Sequence, residues 1–486
     1  MKKMEKVIII GAGVIGCAVA RELSKYDLDI HVLEKGLDVP GGASRANSAI
    51  IHAGYDDQPG SVKAELCVKG NALFSRLKDE LDFRFERNGS LVVALNSNEK
   101  RKLQDLFKQG KKNGVRGLKI LSSKETLKLV PNLNSAVKSA LYAPTAGIVS
   151  PFGYTIALYE NAMKNGVKFT FDSNVEKVVV ENKKVKGVVS NGYFIDADIV
   201  INAAGLHSDE ISKTAGIDYF YIYPQKGEYF VFDDTIGKLV SRTVFPAPLD
   251  KTKGILIAYD VFGKIIIGPN SELIVDKEDT STTEKGLMEV FMGAKRIVPS
   301  LRLQDIVTYF AGVRAQPSTE DFIIESYPNK AYGFINLAGI KSPGFTASYA
   351  IAGRAVELIK DLGFKLHGSK DFNPLRRNIP RFRDLSGKEK KVLVAKNPQF
   401  GHVICRCEQV TEGEIVEAIH RGATTVQGVK FRTSAGFGRC QMGFCGPRII
   451  EILSRETGIP VRKIRKFGKN SYYFSGNIKS VANGLP

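Results

Sequence analysis

The sequence predicts an α/β protein in which a Rossmann-like domain is interleaved with an antiparallel-sheet domain and followed by a small helical C-terminal domain. Three observations lead to this prediction. A strand, a glycine-rich loop and a helix open the chain, later apolar segments have strand and helix lengths, and four of the six cysteines lie within residues 405–445. A chain of 486 residues also exceeds what one hydrophobic core supports, so two or three domains are expected.

The opening of the chain has the pattern of a dinucleotide-binding unit. Residues 6–10 form an apolar strand, Gly11, Gly13 and Gly16 follow at phosphate-loop spacing, and residues 14–25 have helical periodicity. The glycines allow a tight turn and close approach of a pyrophosphate to the helix N-terminus. Residues 29–34 form a second strand, and its last residue, Glu34, can accept hydrogen bonds from a ribose while repelling a 2′-phosphate. This argues against NADP.

The later segments alternate between two kinds of sheet. Residues 175–189 and 197–204 are expected to return to the nucleotide-binding sheet, whereas residues 221–232 and 254–269 are expected to form the antiparallel sheet. A strand at 331–338 and a helix at 348–362 would close the first fold. The predicted boundaries are 1–362 (nucleotide-binding part mainly 1–80, 145–215 and 320–362; substrate part mainly 81–144 and 216–319), a linker at 363–400, a metal-binding domain at 401–460 and a basic tail at 461–486.

Composition limits the classes of function. Apolar residues make up 43% and charged residues 25% of the chain, and no apolar run reaches the length of a bilayer span. The net charge of +19 is concentrated near the C-terminus, where no nucleic-acid-binding motif accompanies it. A cytoplasmic protein is expected, with no nucleic-acid partner and at most peripheral membrane association.

The segment after Glu34 carries a family resemblance. Glu34-Lys35 followed by Gly41-Gly42-Ala43-Ser44-Arg45-Ala46-Asn47-Ser48 resembles the D-amino-acid-oxidase-like FAD oxidoreductases, as do Asn202-Ala203-Ala204-Gly205 and Leu337 to Thr346. The resemblance implies bound FAD. The implied contacts are Gly11, Gly13, Ile15, Gly16, Glu34, Lys35, Gly42, Ala43, Ser44, Arg45, Asn47, Ser48, Val175, Ala204, Gly205, Gly312, Gly339, Gly344, Phe345 and Thr346.

A second resemblance concerns the substrate. Residues 48–55, which include His52, are similar to a segment of FAD-linked glycerol-3-phosphate dehydrogenases and of L-2-hydroxyglutarate oxidoreductases. His52 would lie beside the flavin, either as the base that takes a hydroxyl proton while hydride leaves to flavin N5, or as a hydrogen-bonding group for cofactor or backbone. Both roles stay open.

Two cations are candidates for binding an anionic, hydroxylated substrate. Arg314 stands in a Gly-x-Arg segment that resembles the segment in which family members present an arginine to the substrate. It could bind a phosphate or carboxylate through two hydrogen bonds of its planar guanidinium. The alternative is that Arg314 is an ordinary surface arginine. Lys341 stands in a Gly-x-Lys turn similar to that of glycerol-3-phosphate dehydrogenases, and a second cation suits a phosphate dianion. Residues 226–229 look more like those of the 2-hydroxyglutarate enzymes, so the sequence does not decide between glycerol 3-phosphate and a 2-hydroxy acid as the substrate.

The C-terminal cysteines form two close pairs. Cys405 and Cys407 are followed after 32 residues by Cys440 and Cys445, a donor set that suits either tetrahedral zinc or a [2Fe–2S] cluster. The surrounding residues resemble the bacterioferritin-associated-ferredoxin-like domain, which implies a [2Fe–2S] cluster and a capped helix beginning near Thr411.

The combination of domains has functional implications. An FAD domain followed by such a module resembles the FAD subunits of anaerobic glycerol-3-phosphate dehydrogenases and of multi-subunit amino-acid dehydrogenases. The implied activity is oxidation of glycerol 3-phosphate to dihydroxyacetone phosphate, with electrons leaving through the cluster to a partner flavoprotein or acceptor subunit. The alternatives are a 2-hydroxy-acid or amino-acid dehydrogenase subunit and a non-catalytic electron-transfer subunit.

Overall fold

The computed structural model describes residues 4–237, 239–248 and 254–476. Residues 477–486 of the predicted basic tail therefore lie outside the described residues. The chain divides into two compact units. The first consists of Met1–Leu33, Pro40–Thr170 and Asn174–Arg376, and the second of Glu34–Val39, Phe171–Ser173 and Arg377–Pro486.

The described residues form thirteen α-helices, nine in the first unit and four in the second. They are α1 (Val14–Leu23), α2 (Gly42–Arg45), α3 (Val62–Leu81), α4 (Ser97–Lys112), α5 (Ser123–Leu129), α6 (Pro151–Lys164), α7 (Ser208–Thr214), α8 (Glu284–Ile297), α9 (Gly344–Asp361), α10 (Gly387–Lys396), α11 (Glu412–His420), α12 (Val426–Thr433) and α13 (Gly446–Thr457).

The same residues form twenty-three β-strands, of which the last two belong to the second unit. They are β1 (Lys6–Ile10), β2 (Asp29–Leu33), β3 (Ile50–Ile51), β4 (Phe85–Glu86), β5 (Ser90–Ala94), β6 (Lys119–Ser122), β7 (Ser139–Ala143), β8 (Gly147–Val149), β9 (Lys168–Thr170), β10 (Val175–Glu181), β11 (Lys184–Ser190), β12 (Tyr193–Asp196), β13 (Ile199–Asn202), β14 (Ile222–Phe232), β15 (Thr243–Pro246), β16 (Leu256–Tyr259), β17 (Ile265–Gly268), β18 (Glu272–Leu273), β19 (Ile306–Pro317), β20 (Ile323–Tyr327), β21 (Ala331–Ala338), β22 (Val403–Cys405) and β23 (Val410–Thr411).

The nucleotide-binding sheet of the first unit has the order β10-β11-β21-β13-β1-β2-β9, with β12 paired to β11 and β20 to β21. The pairs from β11 through β9 are parallel. Its central strands are continuous apolar runs because both faces are covered, and Ile9 and Ile201 are fully buried. This arrangement places the loop after β1 at the carboxyl end of the sheet, where α/β proteins bind nucleotides.

The second sheet of the first unit has the order β18-β14-β17-β16-β15-β5-β7-β6, with β19 also paired to β14. The long antiparallel ladder of β14 and β19 sets the register of the substrate side, because Gln225 pairs with Arg314 and Gly227 with Gly312. Directly paired residues project from the same face of a sheet, and the next residues project from the other. The opposite face packs on an apolar core that includes Phe230, Val290 and Phe291.

The second unit has its own apolar core, formed mainly by α11, α12 and α13. Ile415, Val429, Ile449 and Leu453 are fully buried in it. Helix α11 begins as the sequence predicts, with Thr411 and Glu414 completing a reciprocal capping box. The predicted linker at 363–400 contains helix α10, which is also opened by a capping box.

Three predicted segments differ in detail from the structure. The strand predicted at 175–189 is a hairpin of β10 and β11, because Asn182 and Lys183 both adopt positive φ in a two-residue turn. The segment at 254–269 is likewise two strands, β16 and β17. Helix α9 begins at Gly344, four residues before the predicted start. No helix in the described residues is both long enough and apolar enough to cross a bilayer.

A buried arginine joins several helices of the first unit. Arg21 of α1 is 1% exposed and donates hydrogen bonds to Asn161 of α6 (2.9 Å), Glu80 of α3 (2.6 Å), the hydroxyl of Tyr349 of α9 and the carbonyl of Pro374 (3.3 Å). Each partner stabilises the charge in place of water. The packing of these helices on the nucleotide-binding sheet therefore depends on this residue.

We expect Arg21→Met to lower the free energy of unfolding by about 3–5 kcal/mol, because it leaves buried polar partners without their cation. Chemical denaturation followed by circular dichroism measures the change. Arg354→Met is the matched control, since that side chain is 47% exposed and pairs with Glu357, one turn along the same helix. The control should change stability by less than about 0.5 kcal/mol. Equal losses in the two variants would contradict the role given to Arg21.

Candidate functional site

The dinucleotide loop is a backbone cradle that excludes side chains. A Cβ on Gly11 would lie 2.7 Å from the Ala203 carbonyl oxygen, and one on Gly16 would lie 1.8 Å from the Gly11 carbonyl oxygen. Gly11 also has φ +99°, which favours glycine. The N-terminus of α1 thus lies against the ends of β1 and β13, as pyrophosphate binding requires. This close packing fits the expected dinucleotide cofactor.

The predicted cofactor loop at residues 42–48 packs closely on two neighbours. The Ser44 hydroxyl accepts a hydrogen bond from the Val14 N–H at the start of α1 (2.9 Å). A Cβ on Gly312 of β19 would lie 2.1 Å from the Ala46 carbonyl oxygen, so only glycine fits there. The Asn47 amide closes the loop by donating to the Ala43 and Ser44 carbonyls and accepting from the Ala49 N–H. The loop is therefore held rigidly between α1 and β19.

Hydrogen bonds connect His52 with the first turn of α9 and the segment before it. The His52 N–H donates to the Thr346 hydroxyl (2.9 Å), and its ring Nε2 lies 3.2 Å from the Ser342 hydroxyl. The His52 carbonyl accepts from the Asn71 amide (2.8 Å). Both the backbone and the ring of His52 are thus fixed, which a positioned proton acceptor needs.

Lys341 and Arg314 lie on the same side of this arrangement. The Lys341 ammonium donates to the Gln316 side-chain oxygen, and Gln316 projects from the same face of β19 as Arg314. The Arg314 guanidinium donates to the backbone carbonyls of Gln225, Lys226 and Asn270 at 3.0–3.3 Å. The chain of contacts His52–Ser342–Lys341–Gln316 therefore leads to the strand that carries Arg314.

Electrostatics support a site for an anion here. Burial lowers the pKa of Arg314 from its usual value, but arginine stays protonated at any physiological pH. Burial likewise lowers the pKa of Arg45 in the cofactor loop, with partial compensation from Glu278. Cations held in partly buried surroundings attract an anion more strongly than the same cations in water.

The motif at residues 226–229 is divided between two faces of the sheet. Lys226 and Glu228 point away from Arg314: the Lys226 ammonium binds Asp279 (2.8 Å), and the Glu228 carboxylate accepts from Thr283 at the start of α8 (3.0 Å). Tyr229 faces the Arg314 side, where burial raises the pKa of its hydroxyl. The charged residues of this motif therefore belong to the packing of α8, and not to the substrate side.

The remaining residues that are predicted to bind the cofactor lie in several different parts of the structure. Ala204 and Gly205 follow β13, beside the dinucleotide loop, while Gly339, Gly344, Phe345 and Thr346 form the turn after β21 and the start of α9. Ile15 lies in the first turn of α1. Val175 is buried in the core with Ile10 and Leu33. Glu34 and Lys35 follow β2 in the second unit; one Glu34 oxygen accepts from the Gly36 N–H (2.7 Å), and Lys35 is exposed. Their contacts with FAD stay predictions.

Sequence reasoning gave no role to two residues of this site. The Gln316 side-chain oxygen accepts from Lys341, and the Ser342 hydroxyl lies 3.2 Å from the His52 ring. Gln316 could have been found, because residues two apart on a strand share a face and Gln316 stands two after Arg314. The contact of Ser342 with His52 joins segments far apart in the chain, and nothing local in the sequence signals it.

The four C-terminal cysteines lie in the second unit as two spatial pairs, each of which joins one cysteine of the first sequence pair to one of the second. The Cys407 and Cys440 sulfurs are 3.7 Å apart, and the Cys405 and Cys445 thiols are close enough to shift each other's pKa. Among the described residues, no three His, Cys, Asp or Glu side chains converge as they would around one metal ion. Two thiolates on one tetrahedral ion with bonds of about 2.3 Å lie about 3.8 Å apart, so each pair can hold one metal. Two such pairs fit a binuclear cluster better than a single zinc ion.

The cysteines differ in their pKa shifts. The neighbouring Cys445 thiol, assisted by the backbone N–H groups of Gly436 and Glu408, lowers the pKa of Cys405 to about 6 against the opposing effect of burial. The same neighbour relation raises the pKa of Cys445. Against a lowering backbone contact with Cys440, burial and the Cys440 thiol raise the pKa of Cys407. Glycines allow the close packing of the loop, since a Cβ on Gly438 would lie 2.2 Å from the Cys407 Cβ. Cys17 and Cys67 of the first unit are buried and form no disulfide.

We expect Gly16→Ala to abolish retention of FAD, because the added Cβ would overlap the Gly11 carbonyl and push α1 away from the loop. Flavin absorbance after gel filtration measures it. Gly353→Ala is the matched control, since Gly353 lies in α9 with nothing within 4 Å of an added Cβ. The control should keep FAD and gain stability of up to about 1 kcal/mol. Full FAD content in the Gly16 variant would be evidence against the cradle.

Replacing one cysteine of each pair should abolish the cluster. We expect Cys440→Ser and Cys445→Ser to lose iron and sulfide, because a [2Fe–2S] cluster needs four thiolates, whereas the wild type should hold about two irons per chain. Iron and sulfide analysis measures this. Cys67→Ser, on a buried thiol of the first unit, should keep the full iron content. Zinc in place of iron in the wild type would contradict the assignment.

Comparisons with known proteins agree with this geometry. The chain is 47% identical to a glycerol 3-phosphate dehydrogenase of Caloramator mitchellensis over 98% of its own length and 99% of that protein. It is 32% identical to a glycerol 3-phosphate oxidase of Mycoplasma genitalium, over 76% of this chain and 97% of that protein. A solved structure of the FAD-bound L-α-glycerophosphate oxidase of Mycoplasma pneumoniae matches with TM-score 0.72 and 30% identity, covering 77% of this chain and 99% of that one.

Two family profiles match the two parts of the chain. The FAD dependent oxidoreductase family matches residues 6–358, and the BFD-like [2Fe-2S] binding domain matches residues 403–455. The predicted fold class, FAD and the [2Fe–2S] cluster are thereby confirmed. With its glycine cradle, its cofactor loop and its paired cysteines, the chain belongs to the FAD-dependent oxidoreductases and carries a [2Fe–2S]-binding domain after the flavin fold.

Proposed function

We propose that this chain oxidises glycerol 3-phosphate to dihydroxyacetone phosphate, with FAD as the electron acceptor. The electrons then leave the flavin through the [2Fe–2S] cluster. The observation that carries the proposal is the chain of contacts from His52 through Ser342, Lys341 and Gln316 to the strand of Arg314. It connects a proton acceptor, His52, with two cations, Lys341 and Arg314. A site that oxidises a small hydroxylated anion needs a proton acceptor for the hydroxyl group and a cation for the anionic group.

The cations select the anionic end of the substrate. Arg314 is oriented by three backbone carbonyls, which leaves its charge uncompensated by any carboxylate among these contacts. Lys341 is oriented by the neutral oxygen of Gln316. Two cations on one site suit a phosphate dianion, whereas a single arginine would suffice for one carboxylate. This favours glycerol 3-phosphate over a 2-hydroxy acid.

His52 is proposed to accept the hydroxyl proton of the substrate. Its ring Nε2 is within hydrogen-bond reach of Ser342, so a proton could pass between the two side chains. The Thr346 and Asn71 contacts hold its backbone while the ring acts. The alternative role, a hydrogen bond to cofactor or backbone, would need the same position.

The cofactor would be held by the glycine cradle, the 42–48 loop and the first turn of α9. When bound, FAD supplies a two-electron acceptor for the hydrogen on the substrate carbon. The N-terminus of α9 carries a partial positive charge, which stabilises negative charge near Gly344 to Thr346. Glu34 would bind the ribose hydroxyls.

The pattern of similarity also supports this substrate. The relative at 47% identity is a glycerol 3-phosphate dehydrogenase, while the L-2-hydroxyglutarate dehydrogenase of Arabidopsis thaliana is 28% identical over 72% of this chain. Residues 226–229, which favoured the second class, place their charges on the α8 side of the sheet. The argument for a 2-hydroxy acid is weakened accordingly.

We also propose an electron-accepting partner protein and a cytoplasmic location. The cluster supplies a one-electron path away from the flavin. Its pair Cys407 and Cys440 lies at the surface, and neighbouring Phe444 is 83% exposed. Exposed aromatic residues are common where proteins dock. None of the six cysteines forms a disulfide, which suits a reducing compartment.

The test is an anaerobic titration of the FAD-loaded protein with glycerol 3-phosphate. We expect the flavin absorbance to bleach, and Lys341→Met to lower kcat/KM by about 10- to 100-fold, mainly through KM, because a charged hydrogen bond to phosphate is lost. Lys330→Met, an exposed lysine, is the matched control and should leave both constants unchanged.

Two results would refute the proposal. One is an unbleached flavin with glycerol 3-phosphate while L-2-hydroxyglutarate or an amino acid bleaches it. The other is an equal loss of kcat/KM with glycerol and with glycerol 3-phosphate in the Lys341 variant, which would show that Lys341 does not bind the phosphate. Failure of all these substrates would favour the non-catalytic electron-transfer subunit.

A further inference from the structure

The segment that follows β2 folds as part of the second unit. Glu34–Val39 belongs to that unit together with Phe171–Ser173 and the chain from Arg377 onward. Two backbone hydrogen bonds join the early pieces: the Ser173 N–H donates to the Glu34 carbonyl (2.9 Å) and the Asp172 N–H to the Gly36 carbonyl (2.9 Å). The residue proposed to bind the FAD ribose, Glu34, therefore begins a loop of the cluster-binding unit.

This loop is fastened by a buried ion pair. The Arg432 guanidinium binds both oxygens of the Asp38 carboxylate, at 2.6 and 2.7 Å, and both side chains are 1% exposed. Asp38 also accepts from the Val39 N–H (2.7 Å). Gly428 leaves room for the carboxylate, since a Cβ there would lie 2.3 Å from its oxygen. A paired, bidentate contact of this kind fixes both partners in position.

Arg432 stands on the helix that leads into the cluster loop. It is the penultimate residue of α12, after which Ser434 turns the chain with φ +73° towards Gly436 and Cys440. Backbone hydrogen bonds from the Phe437 N–H to the Ser434 carbonyl (3.2 Å) and from the Gln441 N–H to the Gly438 carbonyl (2.9 Å) shape the loop from the end of α12 to Cys440. At the other end of α12, the N–H groups of Val426 and Gln427 donate to carbonyls of Arg465 and Lys466. The helix is therefore held at both ends.

We propose that the Asp38–Arg432 pair couples FAD binding to cluster loading. Arg432 acts as a positioning residue: a loaded cluster orders the loop after α12, the ordered helix holds Arg432, and Arg432 holds the Glu34–Val39 loop in the conformation that binds ribose. This rests on the proposed placement of the ribose at Glu34. By linkage, each cofactor must increase the affinity for the other by the same factor.

The physical reason for the coupling is the cost of an unpaired buried charge. If the cluster loop loosens and α12 shifts, Asp38 loses its partner in a site closed to water. The loop then relaxes towards solvent and carries Glu34 with it. A merely structural ion pair would change stability but would leave the affinity for FAD independent of iron.

The test measures the FAD dissociation constant of the full-length chain with and without its iron, using quenching of flavin fluorescence. We expect removal of iron by a chelator to weaken FAD binding of the wild type by roughly 5- to 150-fold. In Arg432→Gln the ratio between the two states should fall to about one. As the reciprocal readout, the wild type should lose iron faster when it is free of FAD.

Control variants separate the coupling from general damage. Arg421→Gln removes an arginine of the same unit that binds Glu417 and the Arg377 carbonyl, and it should keep the wild-type ratio. Arg432→Lys keeps the charge without the bidentate contact and should give an intermediate ratio. This milder variant decides the matter if Arg432→Gln does not fold.

An equal FAD affinity of the wild type with and without iron would overturn the proposal, as would a wild-type ratio in either Arg432 variant. Glu34→Gln tests the placement of the ribose separately, since an unchanged FAD affinity there would refute that placement. No substrate is present in these measurements. An error in the proposed substrate would therefore leave their outcome unaffected.

Discussion

Close approach of backbone to backbone at the dinucleotide loop is the constraint on which the flavin fold depends. Gly16 touches the Gly11 carbonyl, Ser44 binds the first N–H of α1, and Gly312 admits the Ala46 carbonyl. These contacts bring α1, the 42–48 loop and β19 to one place. Because β19 also carries Arg314 and Gln316, the packing around the cofactor loop also fixes the strand on which these two side chains stand.

The candidate substrate side obtains its charge from two cations. Backbone carbonyls orient Arg314, and Lys341 donates to the Gln316 amide oxygen. Lys226 and Glu228 lie on the other face of the same sheet, where they bind Asp279 and Thr283. The alternation of side chains along β14 therefore separates the charges that serve packing from the arginine that is a candidate for binding.

The sequence predicts local features well and long-range contacts poorly. The strand Lys6–Ile10, the glycine loop and the Thr411 cap follow from spacing and propensity within a few residues. The hairpin at Asn182 was missed because positive φ at a non-glycine turn leaves a weak signal. Ser342 beside His52, and Arg432 beside Asp38, join distant segments, so only the fold reveals them.

The Asp38–Arg432 contact has a consequence for synthesis of the protein. Its partners are 394 residues apart in the chain. Strand β2 leaves the ribosome early, but the arginine that holds the loop after it emerges only when most of the chain has been translated. Contacts of such sequence separation form late and slowly. If this contact is needed for stable capture of the flavin, that capture would follow the completion of translation.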